Sequence, residues 1–216
     1  MLLNSVSFNG RYNFLQDQSG LLCAYCGRVI ASEKDTKLLG CALLGKKGVE
    51  VADILSPYLP FFREVEKEPI YELVNMAREP RFANLSLKNL ALHLSQKGVY
   101  SPDDKKLLHK LFDKILYSAE HTIPQSKGGV NSCYNYLPMH RGCNTMRGSD
   151  SYTKVTENNP DFPANINKAI NEIDSRIKSD MTGQTHYGIN LPADYREKVV
   201  DAVASQGLDR HFFAVA

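Results

Sequence analysis

Two kinds of chemistry are written into the stretch from Glu120 to Gly148, EHTIPQSKGGVNSCYNYLPMHRGCNTMRG. The first is metal binding. His140 and Cys143 have knuckle spacing, and far upstream Cys23 and Cys26 repeat it in Cys23-Ala24-Tyr25-Cys26-Gly27. A tight turn between two such ligands lets both face one ion, and Gly27 relieves the backbone just beyond it. Three thiolates and an imidazole suit a structural zinc. The second is acid–base chemistry. His121 is the residue type for a general base, because an unperturbed imidazole titrates near about pH 6.5. Glu120 and Asn144 offer oxygen ligands of the kind that hold a hard ion such as Mg2+ or Mn2+. A phosphodiester resists hydrolysis because its anionic oxygens repel a nucleophile and its alkoxide leaves poorly. Cleaving it takes a base for the water and a cation for the developing charge.

Taken singly, each of these residues has a plainer reading. A Glu-His pair is commonly surface decoration, a lone Asn before an apolar run a turn residue, and a Cys pair two unrelated thiols. The joint spacing carries the signal, and it resembles the HNH endonuclease family in its zinc-ribbon form with a ββα-metal active site. The resemblance covers the Glu120–Gly148 stretch and the few residues around Cys23. It implies a zinc held by Cys23, Cys26, His140 and Cys143, and a catalytic ion held by Glu120 and Asn144. It also implies His121 as the base, and Asn135 as the central asparagine that braces the loop and orients that base. Arg147 stands where relatives carry a basic residue and is expected to contact phosphate, with Lys127 and Arg141 adding positive charge. The implied activity is metal-dependent hydrolysis of DNA, double- or single-stranded, in preference to RNA. The alternative is a zinc-stabilised nucleic-acid-binding module whose nuclease site is vestigial.

Two departures from the family pattern stand out. Glutamate replaces the frequent aspartate at position 120, one methylene longer with the same ligand chemistry. The second knuckle is His140-Arg141-Gly142-Cys143 where two cysteines are usual. That leaves open a second placement, in which His140 binds the catalytic ion and Cys133 is the reserve zinc ligand.

The chain of 216 residues can bury a sizeable core. A net charge of +2 neither demands nor excludes a nucleic-acid partner, so any basic footprint must be local. Five cysteines, an odd number with three at ligand spacing, favour metal over a disulfide framework. No run is long and apolar enough to span a membrane. Met1-Leu2-Leu3-Asn4 lacks the basic-then-apolar order of a signal peptide, which gives a cytoplasmic expectation.

The elements that must position these residues follow from periodicity. The expected class is α+β, mainly helical: the resemblance implies an HNH ββα-metal motif stapled by a zinc ribbon, and the periodicity adds a large helical insertion and C-terminal helices. The expected divisions are an N-terminal segment with the first knuckle (1–29), the insertion (30–118), the nuclease motif (119–154) and a C-terminal helical region (155–216). The insertion is where the chain departs most from the family, and it is open to binding DNA or a partner protein. Within it, Ile70 to Arg78 and Ser86 to Lys97 show helical stripes, the second capped by Gly98. Ser101-Pro102 starts a further helix carrying Leu107, Leu108, Leu111, Phe112, Ile115 and Leu116. The motif itself reads as strands over Tyr117–Ile123 and Tyr136–Met139, then a helix from His140 or Arg141 carrying Asn144 and Arg147. Ile166, Ile170, Ile173 and Ile177 mark an amphipathic helix, and Leu191-Pro192-Ala193-Asp194 starts a last one that Gly207 ends. Phe212, Phe213 and Val215 suggest a terminal strand.

Overall fold

The structure is a computed structural model that describes residues 20–94, 104–183 and 191–213. It is α+β and mainly helical, with one two-stranded antiparallel sheet among the described residues. The chain divides into two compact units. One is Arg28–Leu116, and the other combines residues up to Gly27 with those from Tyr117 onward.

The Arg28–Leu116 unit is built from short helices: α1 (Glu33–Ala42), α2 (Val49–Leu55), α3 (Glu68–Arg78), α4 (Leu87–Leu92) and α5 (Asp104–Phe112). A capping box starts α1. The Ser32 hydroxyl accepts from the Asp35 amide at 3.1 Å, and the Asp35 carboxylate accepts from the Ser32 amide at 2.7 Å. Pro69 in the first turn sets the start of α3, two residues before the first apolar position of its stripe. Helix α4 stops at Leu92, where the His93 and Leu94 amides bond three residues back, to the carbonyls of Leu90 and Ala91. It is therefore shorter than the stripe suggested, and the expected Gly98 cap and Ser101-Pro102 start lie outside the described residues. An isolated parallel bridge pairs Ala31 with Leu116, so the unit begins and ends at neighbouring points.

Its core is one apolar cluster that includes Leu55, Leu73, Leu90, Leu107 and Phe112. The Phe112 ring meets Tyr58 and Phe62 edge-on, with centroids 5.3 and 5.6 Å away.

In the second unit, β1 (Tyr117–His121) pairs with β2 (Tyr136–His140) in a register that sets Tyr117 opposite His140 and His121 opposite Tyr136. Strand β1 stops at His121 rather than at Ile123, because the chain bends at Thr122 and Ile123. Helix α6 (Arg141–Arg147) leaves β2 directly, and α7 (Tyr152–Asn158), α8 (Phe162–Thr182) and α9 (Tyr195–Ala204) follow. The Ser151 hydroxyl caps α7, accepting from the Lys154 amide at 3.3 Å. Helix α8 buries Ile166, Ile170, Ile173 and Ile177 along one face. From α9, the Tyr195 hydroxyl donates to the Tyr136 carbonyl at 2.9 Å and ties that helix to the start of β2.

The expected terminal strand is absent from the described residues: Arg210–Phe213 forms a 3-10 turn, and Val215 lies outside them. Asp209 is the cause. Its carboxylate accepts from the His211 amide at 2.9 Å and its carbonyl from the Phe212 amide at 3.1 Å, which curls the chain before any strand can extend.

Phe112→Ala should lower stability by about 3–5 kcal/mol, because it empties a site that is 1% exposed and removes two aromatic contacts. The urea midpoint of unfolding is the measurement, and an unchanged midpoint would show this cluster to be loosely packed.

Candidate active site and metal centre

The first knuckle is a turn stapled to the hairpin. The Gly27 amide donates to the Cys23 carbonyl at 2.8 Å, and the Ala24 amide to the Pro138 carbonyl of β2 at 2.9 Å. The Tyr25 carbonyl accepts from Asn159 at 2.8 Å and from Asn165 at 3.2 Å. Gly27 has φ +68°, and a Cβ there would strike the Asn165 side chain, so glycine is required on both counts.

This docking brings Cys23 and Cys26 against His140 and Cys143. The four ligand atoms all lie within 4.8 Å of one another and could hold a metal ion. His140 Nδ1 is 3.4 Å from the Cys26 sulfur and 3.8 Å from that of Cys143, and the His140 amide donates to the Cys23 sulfur at 3.3 Å. His140 thus belongs to this cluster, which answers the alternative placement, and Cys133 is not a member of it. Cys133 sits instead in the 3-10 turn before β2, where burial pushes its thiol up.

The groups of the cluster perturb one another strongly. Hydrogen bonds from Cys143 and Cys23 hold the Cys26 thiol far below its ordinary range, while the thiolates beside Cys143 push its own thiol far above. For His140, burial opposes the charged form. Hydrogen bonds to the Cys23 and Cys26 sulfurs outweigh it and push the imidazole up to about 10. A bound cation would take the place of these shared protons, because a coordinating thiol is deprotonated outright.

Asn135 fixes the loop between the strands. Its side-chain oxygen accepts from the Ile123 amide at 2.7 Å, and its nitrogen donates to the Ile123 and Val130 carbonyls, both at 3.0 Å. Gly129 passes so close to the Ile123 carbonyl that a Cβ would collide with it.

Ser118, Glu120, His121, Arg141, Asn144 and Arg147 share the wall of one cleft of about 290 Å³. The strand end lets the adjacent Glu120 and His121 both reach it, because the chain bends immediately after. Asn144, from α6, donates to the Ser118 hydroxyl at 2.8 Å. His121 packs its ring edge-on against Tyr136, with centroids 4.7 Å apart, and places Nε2 2.9 Å from the Asn131 side-chain oxygen. Asn131 was passed over in the sequence, where only its place in a glycine-rich loop between two strands marked it.

Two expected phosphate contacts are placed differently. Arg147 is 2% exposed. Its guanidinium is ion-paired with Glu120 and donates to the carbonyls of His121 at 2.9 Å and Thr122 at 3.0 Å. It also lies over the Tyr152 ring, 4.9 Å from the centroid. Arginine is suited to such burial because its planar fork serves several acceptors at once. Lys127 is exposed on the loop, outside the lining of the cleft. Arg141 is half-buried and lines it.

No family model, curated protein or solved structure matches this chain. Among the described residues, no helix is long and apolar enough to cross a membrane.

Arg147→Ala should destabilise the fold by about 3–5 kcal/mol, because it leaves the Glu120 carboxylate buried without its partner. Chemical denaturation measures this, and a change within about 0.5 kcal/mol, the range of an ordinary surface substitution, would contradict the structural role.

Proposed function

We propose that this protein is a zinc-stapled, metal-dependent endonuclease of the HNH type that hydrolyses DNA phosphodiester bonds. One observation carries the reading: His121, Glu120 and Asn144 line a single cleft at the end of a β-hairpin, beside a loop braced by Asn135.

Two metals belong to it. Three sulfurs and one imidazole in a buried group fit zinc, which takes four such ligands tetrahedrally and contributes folding energy. The oxygen donors of Glu120 and Asn144 suit Mg2+ or Mn2+, although Glu120 would share its carboxylate with Arg147. Such an ion supplies neutralisation of the charge that develops on the phosphate oxygens.

The chain's own groups do the rest. His121 takes a proton from water, the resulting hydroxide attacks phosphorus in line, the P–O3′ bond breaks, and the departing 3′-oxygen takes a proton from solvent. The products are a 5′-phosphate and a 3′-hydroxyl. Main-chain bonds from Arg147 to His121 and Thr122 hold the bend that aims the imidazole at the cleft. Arg141 adds positive charge to the wall that phosphate would approach.

A second reading is favoured by the Glu120–Arg147 pair, which engages the expected ligand carboxylate. In it the protein is a zinc-stabilised nucleic-acid-binding module without catalysis.

Protein purified without added metal should contain about one zinc per chain, and Cys23→Ser should lose that zinc together with stability on the order of several kcal/mol. Elemental analysis and thermal unfolding check this, and soluble folded protein without zinc would refute the staple.

His121→Ala should lower the rate of plasmid cleavage in Mg2+ by a factor of about 100–10,000, with zinc content and melting temperature unchanged. Cleavage at the wild-type rate would favour the binding module. Cutting of RNA with DNA untouched would keep the chemistry and change the substrate.

A further inference from the structure

We propose that Asn131 is the positioning residue of His121. It fixes the imidazole in its Nε2–H tautomer and presents Nδ1 as the basic nitrogen. The proposal deepens the nuclease reading and rests on it for the role of His121, while its geometric part can be tested without any activity.

The Asn131 side-chain oxygen receives three groups. His121 Nε2 lies 2.9 Å away, the Gln125 side-chain nitrogen 2.9 Å and the Tyr136 hydroxyl 3.0 Å. A carboxamide oxygen can only accept, so each of the three donates to it. A neutral imidazole has one N–H. Donation from Nε2 places it there and leaves the lone pair on Nδ1. The Tyr136 ring, packed edge-on against the imidazole, restricts rotation of the ring that would exchange the two nitrogens.

Asn131 is itself held by its neighbours. The Val130 carbonyl before it accepts from Asn135 and from the Ser132 amide, both at 3.0 Å. The Ser132 carbonyl after it accepts from the Asn135 amide at 2.9 Å. Asn135 therefore braces the loop around Asn131 and also holds the main chain just after His121, through its bonds to Thr122 and Ile123. As His121 takes up a proton in the reaction, its Nε2–H becomes a charged donor, and the hydrogen bond to Asn131 strengthens in the charged state. A neutral amide orients the ring in this way without adding a second carboxylate to a cleft that already holds Glu120.

The test joins a spectroscopic and a kinetic readout on the full chain. Long-range 1H–15N spectra report which imidazole nitrogen carries the proton, and a His121→Gln spectrum assigns the His121 signals among the six histidines. The wild type should show the Nε2–H tautomer. Asn131→Ala should show mixed tautomers, with kcat for DNA cleavage lowered about 10–100-fold and KM within about twofold, as for other groups that orient a functional side chain through a hydrogen bond. Asn131→Asp keeps an acceptor at the same place and should restore both the tautomer and most of kcat. An Nδ1–H tautomer in the wild type, or an Asn131→Ala variant with wild-type kcat and an unmixed tautomer, would overturn the proposal. A wild type that shows the Nε2–H tautomer, loses it in Asn131→Ala and cuts no nucleic acid would support the positioning and overturn the nuclease reading.

Discussion

The convergence of Cys23, Cys26, His140 and Cys143 is the constraint on which the rest of the second unit depends. The Cys23 sulfur and the His140 amide meet across 117 positions of sequence, a long closure that carries an entropic cost. A buried cage of sulfurs and an imidazole is poor as an unfilled cluster. The Cys26 and Cys143 thiols and the His140 imidazole are forced far from their ordinary ionisation. Filled by a cation, the same cage becomes the strongest tie in the unit, and its binding energy is folding energy. The staple also sets geometry. His140 is at once a cluster member and the last residue of β2, so the cage fixes one end of the hairpin and the start of α6 together.

The other end of the hairpin is held without metal. His121 stands opposite Tyr136, at the end of the ladder remote from the Tyr117–His140 pair. Asn135 braces the loop, Arg147 ties the main chain after His121, and α9 reaches the Tyr136 carbonyl through Tyr195. Rigid support from several elements is what a base needs if its lone pair is to stay aimed at one point. The Glu120–Arg147 pair is the most exacting part of this support. Burying two charges is costly, and such a pair is weak evidence for stability in itself, but removing one partner leaves the other stranded. The pair therefore restrains Glu120 strongly while limiting how much of its charge is available to an ion.

What could be read from the sequence, and what could not, follows from how local each requirement is. Ligands for one ion must lie close along the chain as well as in space, so Cys23/Cys26, on a turn, and His140/Cys143, at the start of α6, show in their spacing. Amphipathic helices declare themselves by period, as Ile166 to Ile177 do. Helix α1 was also legible, through Ser32 and Asp35, but its apolar positions are sparse and the capping signal was passed over. Arg147 could not be judged from its type. Exposed arginines bind phosphate and buried ones hold carboxylates, and which applies depends on Glu120 lying 27 positions upstream yet in contact. Asn131 was hidden for the same reason. An asparagine in a glycine-rich loop reads as a turn residue until the hairpin brings His121 and Tyr136 to its side-chain oxygen.

The arrangement separates what makes the unit fold from what would make it act. The sulfur–imidazole cage and the Asn135 brace hold main chain, and their side chains are spent on that work. Asn131 is different: it is solvent-exposed, and its oxygen gathers a side chain of its own loop, Gln125, together with His121 and Tyr136 of the strands. His121 and Tyr136 are largely buried, so the Asn131 oxygen supplies a partner to donors that water reaches poorly. Holding one nitrogen of one imidazole in a fixed proton state is useful where that imidazole must exchange a proton, and the cleft it borders carries an acid, an amide and a half-buried arginine on the same wall. On the proposed nuclease reading that fixed proton state serves transfer from water, whereas a phosphate-binding surface asks for positive charge and has no use for a defined tautomer.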